Sequence, residues 1–436
     1  MTEATAAQSD RAVGVPAAQE RRRTVQAAAC FFLLLAGYYV LRPVREEMGI
    51  QGGVRQLQWL YTGTFVSILA VVPLLSWLVA RLHRRAAVPV IYGLFVLNLV
   101  VFYGLMSGLG PGARVVLARV IYIWVSVFNM FAISLFWALM ADLFSVAQSK
   151  RRFGLIAAGG SAGAIVGPAV TGGVPGVFGG LAGRVGPIPL LLVAAALLLL
   201  ATLGIARLGR SARSEGGDES TGGGGGVLGG RWWDGLTLLV RSPQLLGISG
   251  YIVLYTTVST FLYFEQANIV AAAIDDAGER TELFAAIDLG SNLLALGLQA
   301  VATAGLVRRY GVGLLLLSLP VLSAVGFAAL AVAPVLVVLV TVQVLRRAFN
   351  FALAKPAREI LFTGVSPAER YKSKLVIDTV VYRGGDALSA WAFAGLTGLG
   401  LGLGPIAAIG VPVALAWGVV ARFLGRRATA AQAHER

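Results

Sequence analysis

Cysteine occurs once, at Cys30, and histidine twice, at His83 and His434, in 436 residues. A lone thiol excludes an internal disulfide, and so few nitrogen and sulfur ligands argue against a metal centre built on them. Charge is scarce as well: 13% of residues are Asp, Glu, Lys or Arg, about half the share of an ordinary soluble domain. That composition excludes a soluble globular fold. Acidic residues are the scarcer sign, 21 against 36 basic, for a net charge of +15. The excess does not point to nucleic acid as a partner, because the basic residues recur in short clusters between apolar runs. A G-x-x-x-x-G-K segment is absent, and no predicted strand precedes the glycine-rich stretch at 216–230, so ATP hydrolysis on a P-loop is disfavoured. No nucleophile and base stand together at helical spacing, and the expectation is a protein that is not an enzyme and carries no cofactor.

What the chain has in abundance is apolar side chains, 57% of the total. A bilayer crossing takes about 20 of them in a row, and the sequence predicts twelve spans, at 25–48, 56–80, 87–107, 114–143, 153–177, 187–208, 244–269, 281–307, 312–332, 335–363, 375–399 and 404–425. Alternate loops carry the basic clusters: Arg21 to Arg23, then Arg81, Arg84 and Arg85, then Lys150 to Arg152, then Arg207, Arg210 and Arg213. In the second half they are Arg308 and Arg309, then Arg370, Lys372 and Lys374, then Arg426 and Arg427. By the positive-inside rule those loops are cytoplasmic, which places both termini inside and the chain in the inner (plasma) membrane as a multi-pass protein. Residues 1–24 read as a cytoplasmic tail without a cleaved signal, since the span behind them is too long for a signal-peptide apolar region.

Residues 209–243 form a glycine-rich cytoplasmic linker between two six-span bundles, 25–208 and 244–427, with a short tail at 428–436. The halves repeat. Phe128-Asn129 is followed 16 residues later by Ser145 and a basic run; Phe349-Asn350 is followed 16 residues later by Ser366 and a similar run, an offset of 221 both times. A repeat in the same orientation implies two bundles about an axis normal to the membrane, with a substrate site at mid-depth between them. The expected fold class is therefore an all-α polytopic membrane protein of major facilitator type. Span five adds Gly159, Gly163 and Gly167, four apart, a spacing that lets helices approach closely.

Charges inside the spans mark the candidate site, because a charge facing lipid near mid-depth costs on the order of 3 kcal/mol. Tyr38, Arg42 and Arg45 share one face of span one, with Pro43 between the arginines and Glu46 following. Span seven has Tyr251, Tyr255, Ser259 and Tyr263 at intervals of four, then Glu265. Arg45 with Glu265 is an expected salt bridge closing the outer side, and Asp142 with Arg358 an expected one closing the inner side. The alternative is four independent residues anchoring helix ends. Between the gates lie Arg346, Arg347 and Lys355 in span ten and Asp378, Tyr382, Arg383 and Asp386 in span eleven. Arginines at this depth favour an anionic ligand, but Asp288 and Asn292 in span eight leave an internal ion-pair network as the rival. Asp378, Tyr382 and Asp386 at i, i+4, i+8 also suit proton transfer.

At these residues the chain resembles the ATP/ADP translocases of plastids and intracellular bacteria. The likeness rests on Tyr38 with Leu41-Arg42 and Arg45-Glu46, on Phe136-Trp137, Asp142 and Ser149 to Phe153, on Glu265, on Arg358-Glu359, and on Ile377-Asp378 with Arg383-Gly384-Gly385. It implies exchange of nucleoside triphosphate for diphosphate, with Arg45, Asp142, Glu265 and Arg358 important for transport. The chain departs from the family in having arginine for lysine at 45 and 358, aspartate for glutamate at 142, and Pro43 in place of an acid, and fold transfers better than substrate. The expected function is secondary transport by alternating access of a small anionic solute, ATP and ADP or a related organic anion, in a lipid bilayer; the sequence leaves the oligomeric state open and is compatible with a monomer. The alternatives are a proton-coupled exporter of small organic solutes and a scaffold or scramblase-like protein that transports nothing stoichiometrically.

Overall fold

The computed structural model describes residues 17–81, 84–174, 177–213, 237–239, 242–301, 303–362, 369, 373–374 and 376–434. Among them are twelve long helices. In chain order α1 is Ala17–Gln51, α2 Leu57–Arg81, α3 Arg84–Gly108, α4 Pro111–Leu143, α5 Val146–Gly172 and α6 Leu190–Arg213. In the second half α7 is Pro243–Ala273, α8 Ala277–Val301, α9 Thr303–Val332, α10 Leu336–Ile360, α11 the stretch 377–398, and α12 Leu403–His434. Ten of them contain a segment long and apolar enough to cross a bilayer; α2 and α11 occupy the other two expected places.

Local chemistry sets the ends. Gly110 precedes Pro111 at the start of α4, where the missing proline N–H costs nothing. Ser145 and Gln148 close a reciprocal capping box at the start of α5. Ser242 accepts from the Leu245 amide and starts α7. In α9 Gly311, at φ +72°, breaks the helix, a conformation that a side chain disfavours. At the chain ends the helices run beyond the expected spans. Helix α1 begins at Ala17 inside the expected tail, where Glu20 pairs with Arg152 of α5 at 2.8 Å and Thr24 is fully buried, and α12 continues to His434. Most of the expected linker, and the second copy of the repeated loop at Ser366, lie outside the described residues.

Packing repeats along with the sequence. Helix α1 packs on α5 and α6, α2 on α4, and α3 on α6; correspondingly α7 packs on α11 and α12, α8 on α10, and α9 on α12. The α1–α5 seam is built from backbone. A Cβ added at Gly159, Gly163 or Gly167 would meet the carbonyl oxygens of Ala28, Phe32 and Ala36 well inside contact distance, so the three glycines let the two helix backbones touch. Gly163→Ala is therefore expected to destabilise by about 1–3 kcal/mol, the usual range for overpacking. Thermal unfolding of detergent-solubilised protein checks this against Gly154→Ala on the same helix, where the new Cβ meets nothing within 4 Å and the change should be neutral to stabilising by up to about 1 kcal/mol.

The halves meet through α5 with α8, α2 with α11, and α1 with α7 and α8. The face carrying Arg81, Arg84, Lys150 to Arg152 and Arg426 is called here the basic face. Inter-bundle bonds gather toward the opposite face. Arg280 forks onto Glu47 at 2.6 and 2.7 Å, the Gly183 amide donates to Glu282 at 3.0 Å, and Trp391 donates to Thr62 at 3.0 Å.

Candidate functional site

Between the bundles lies a cavity of about 670 Å³. It runs from Tyr61 and Tyr263, near the closed opposite face, to Arg358 and Glu359 at the basic-face end of α10. Eleven of the expected site residues line it: Arg42, Arg45, Glu46, Arg346, Arg347, Lys355, Arg358, Asp378, Tyr382, Arg383 and Asp386. The asparagines of the repeated Phe-Asn pair do so too, Asn129 from α4 and Asn350 from α10.

Helical periodicity explains why these side chains converge. In α7 the stripe Tyr255, Ser259 and Tyr263 faces the cavity, whereas Tyr251 is buried against Trp417 and donates to the Leu316 carbonyl. The α1 stripe Tyr38, Arg42 and Arg45 faces it from the other bundle. At the closed end Arg45 is fixed on three sides: Nε donates to Ser126 at 2.8 Å, Nη2 to the Tyr122 hydroxyl at 2.9 Å, and Nη1 to Glu46 at 3.1 Å. Its guanidinium also stacks 4.2 Å from the centre of the Tyr122 ring.

Two expected gates are absent from this conformation. Arg45 takes Glu46 as its carboxylate partner, and Glu265 is fully buried with neither oxygen bonded. The reason is angular: Tyr263 faces Arg45, with its ring centre 5.9 Å from the guanidinium, and two residues further along a helix turn by about 200°, so Glu265 points away. The closed opposite face therefore does not use the Arg45–Glu265 pair; Glu47 with Arg280 bonds across the bundles there instead. Asp142 is exposed at the end of α4 and is not paired with Arg358, which lines the open part of the cavity.

The bond at the centre is one the sequence offered only as a rival. Asp288 of α8, 2% exposed, accepts from Arg347 of α10 and lies 3.4 Å from Arg42 of α1 through the same oxygen. One carboxylate thus ties an arginine of each bundle, while its other oxygen is buried without a partner. Elsewhere in the wall Arg346 donates to Ser259 at 2.8 Å and keeps a buried Nε unbonded. Asp386 accepts from Thr260 at 3.3 Å and lies 3.5 Å from Arg383. Lys374 pairs with Glu359, whereas Lys355 and Arg358 have no ion pair among the described residues. In total the wall carries eight basic side chains against four acidic. The ion-pair network is real, but it leaves the cavity cationic.

Sequence reasoning missed two features of this wall. The helix widens to a π-turn at Asn350–Ala354 in α10 and again at Ile377–Val381 in α11, just before Lys355 and Tyr382. Such turns gather at functional sites, and Pro356, which lacks the amide that α-geometry would use, was the available signal for the first. The other miss is Tyr61, from an α2 segment without charge to draw notice.

No family model and no curated protein sequence matches the chain. Solved structures do. A bacterial homologue of the iron transporter ferroportin, in an inward-facing state, aligns with a TM-score of 0.64 at 15% identity, over 93% of this chain and 98% of that one. A bacterial homologue of the human lysosomal transporter Spinster, inward-facing and unoccupied, aligns at 0.58 and 14% identity, over 95% and 97%. The human organic anion transporter MFSD10 aligns at 0.55 and 16% identity, over 94% and 100%. At such identities the likeness concerns architecture, and it establishes that the chain has the major facilitator-type fold, two helical bundles around a central cavity.

Proposed function

We propose that this protein is a secondary transporter of organic anions that works by alternating access, with nucleoside di- and triphosphates the first solutes to test. The observation that carries the reading is the excess of cationic groups on the wall between the bundles. A guanidinium fork suits phosphate or carboxylate, and Arg346 sets its fork in the cavity wall with only the Ser259 hydroxyl bonded to it among the described residues. A phosphorylated solute entering from the basic face meets Arg358 and Lys355 first, then Arg346 and the central Arg42–Asp288–Arg347 bridge, with Arg45 and Tyr61 beyond it at the closed end. Competing with Asp288 for Arg42 would loosen one bundle from the other, which couples binding to the change of access. The basic face is read as cytoplasmic, so this conformation is inward-open.

Proteoliposomes loaded with unlabelled ATP or ADP and offered labelled nucleotide test the reading. Uptake that requires internal nucleotide and ignores a pH gradient supports exchange; no flux of any tested organic anion sinks the reading. Arg346→Gln should raise the KM by about tenfold or more, as expected for losing a charge-assisted hydrogen bond of about 1.5–3 kcal/mol, and initial rates against substrate concentration check it. A second reading, proton-coupled export, is favoured by Asp386, a buried cavity-wall carboxylate held by one hydroxyl and one long contact to Arg383. It would show as uptake that needs the gradient.

A further inference from the structure

A second cavity, of about 410 Å³, opens off the first between α5 and α8. Leu35, Tyr39, Phe351 and Lys355 line both, so the two are continuous. Beyond that junction the second cavity is walled by Phe31, Ala157, Ala164, Ile165, Ala295 and Leu296. Its upper limit is the bond from Asn292 to the Ala164 carbonyl, at 2.7 Å, where the two helices close on each other. Below it they part. Ser161, Leu296 and Gln299, which also line the cleft, are exposed, and Leu293, three residues before Leu296 on the same side of α8, is half exposed. The cleft therefore opens sideways, onto the hydrocarbon.

The depth of each part is informative. Lys355 lies five residues from the end of α10, or roughly 8 Å at 1.5 Å per residue, which is headgroup depth. Of the apolar wall, Ala157, Ala164 and Ile165, eleven or more residues from the start of α5, lie deeper, whereas Leu296, five residues from the end of α8, is level with Lys355. A fully water-soluble anion gains nothing from a side opening, whereas an anion with an acyl chain gains a route. Its chain passes from bilayer to cleft with little change in solvation, since lipid tails are as apolar as the lining, and its head reaches Lys355 and Arg346 through the central cavity. We propose that the anion carried by this protein is amphipathic, a phosphorylated or carboxylated head bearing an acyl chain that occupies the α5–α8 cleft. The proposal rests on the anion reading above and narrows it.

The test uses full-length protein in zwitterionic nanodiscs and lysophosphatidate carrying a photoactivatable diazirine in its acyl chain. Adducts mapped by mass spectrometry are expected on the cleft segments of α5 and α8, and excess unlabelled lysophosphatidate should reduce them at least tenfold. Ser161→Trp or Leu296→Trp, each filling the cleft from its lipid side, should reduce them at least fivefold. Adducts spread over the whole lipid-facing surface and insensitive to competitor would overturn the proposal. Equilibrium dialysis with glycerol 3-phosphate separates the two levels: if the head alone binds while the cleft stays unlabelled, the anion reading stands and the amphiphile falls. If neither ligand binds, both fall.

Discussion

Replacing Asp288 with asparagine is expected to lower anion uptake by at least a hundredfold. The carboxylate holds Arg347 by a hydrogen bond and Arg42 at 3.4 Å, from opposite bundles. Asparagine keeps the shape and removes the charge, so two guanidiniums would face each other at the centre, between the bundles. Stranding one buried charge costs about 3–5 kcal/mol, enough to shift a two-state equilibrium by more than a hundredfold. Counterflow in proteoliposomes measures the loss, with thermal unfolding as the check that the variant still folds. Adding Arg347→Gln to Asp288→Asn removes one of the stranded charges and should recover part of the activity. Uptake within threefold of the unaltered protein would show that the bridge plays no part in gating.

The second large effect is expected at the opposite face. Glu47 is fully buried and receives two nitrogens of Arg280, whose third also bonds the Ile274 and Asp275 carbonyls. Glu47→Ala leaves that guanidinium held by its own helix end, with only Asp275 and Asp276 of the same bundle as counter-charges and nothing across to α1, and the closed face should loosen. A single cysteine at Ser259, with Cys30→Ser, reports access to the cavity. Labelling by a membrane-impermeant maleimide from the opposite face is expected to rise at least tenfold in Glu47→Ala. Glu47→Gln with Arg280→Gln, which strands no charge, should stay near the starting level. Labelling that does not change in Glu47→Ala would remove this pair from the closure.

Much of the architecture was legible because a bilayer enforces it: apolar runs of fixed length and basic clusters on alternate loops leave few ways to read the chain. The site was legible for the same reason. Arg42, Arg45, Arg346, Arg347 and Asp386 are costly in lipid, so they turn inward, and inward in a two-bundle protein means the cavity. What could not be read was partnership. Glu265 lies at the depth expected for a partner of Arg45, but depth fixes only one coordinate, and the turn from Tyr263 to Glu265 carries the carboxylate round the helix. Asp288 met the arginines because α8 crosses between α1 and α10, a matter of packing that no spacing in α8 announces. The π-turns were hidden likewise, since a surplus residue in a helix leaves the apolar pattern almost unaltered.

The glycine seam between α1 and α5 has a mechanical meaning. A joint made of main chain against main chain has no rotamers to switch and no slack to take up, so α1 must travel with α5 as a single strut. If the bundles rock against each other, the shear must fall on the other flank of α1, where it meets α7 and α8 of the second bundle.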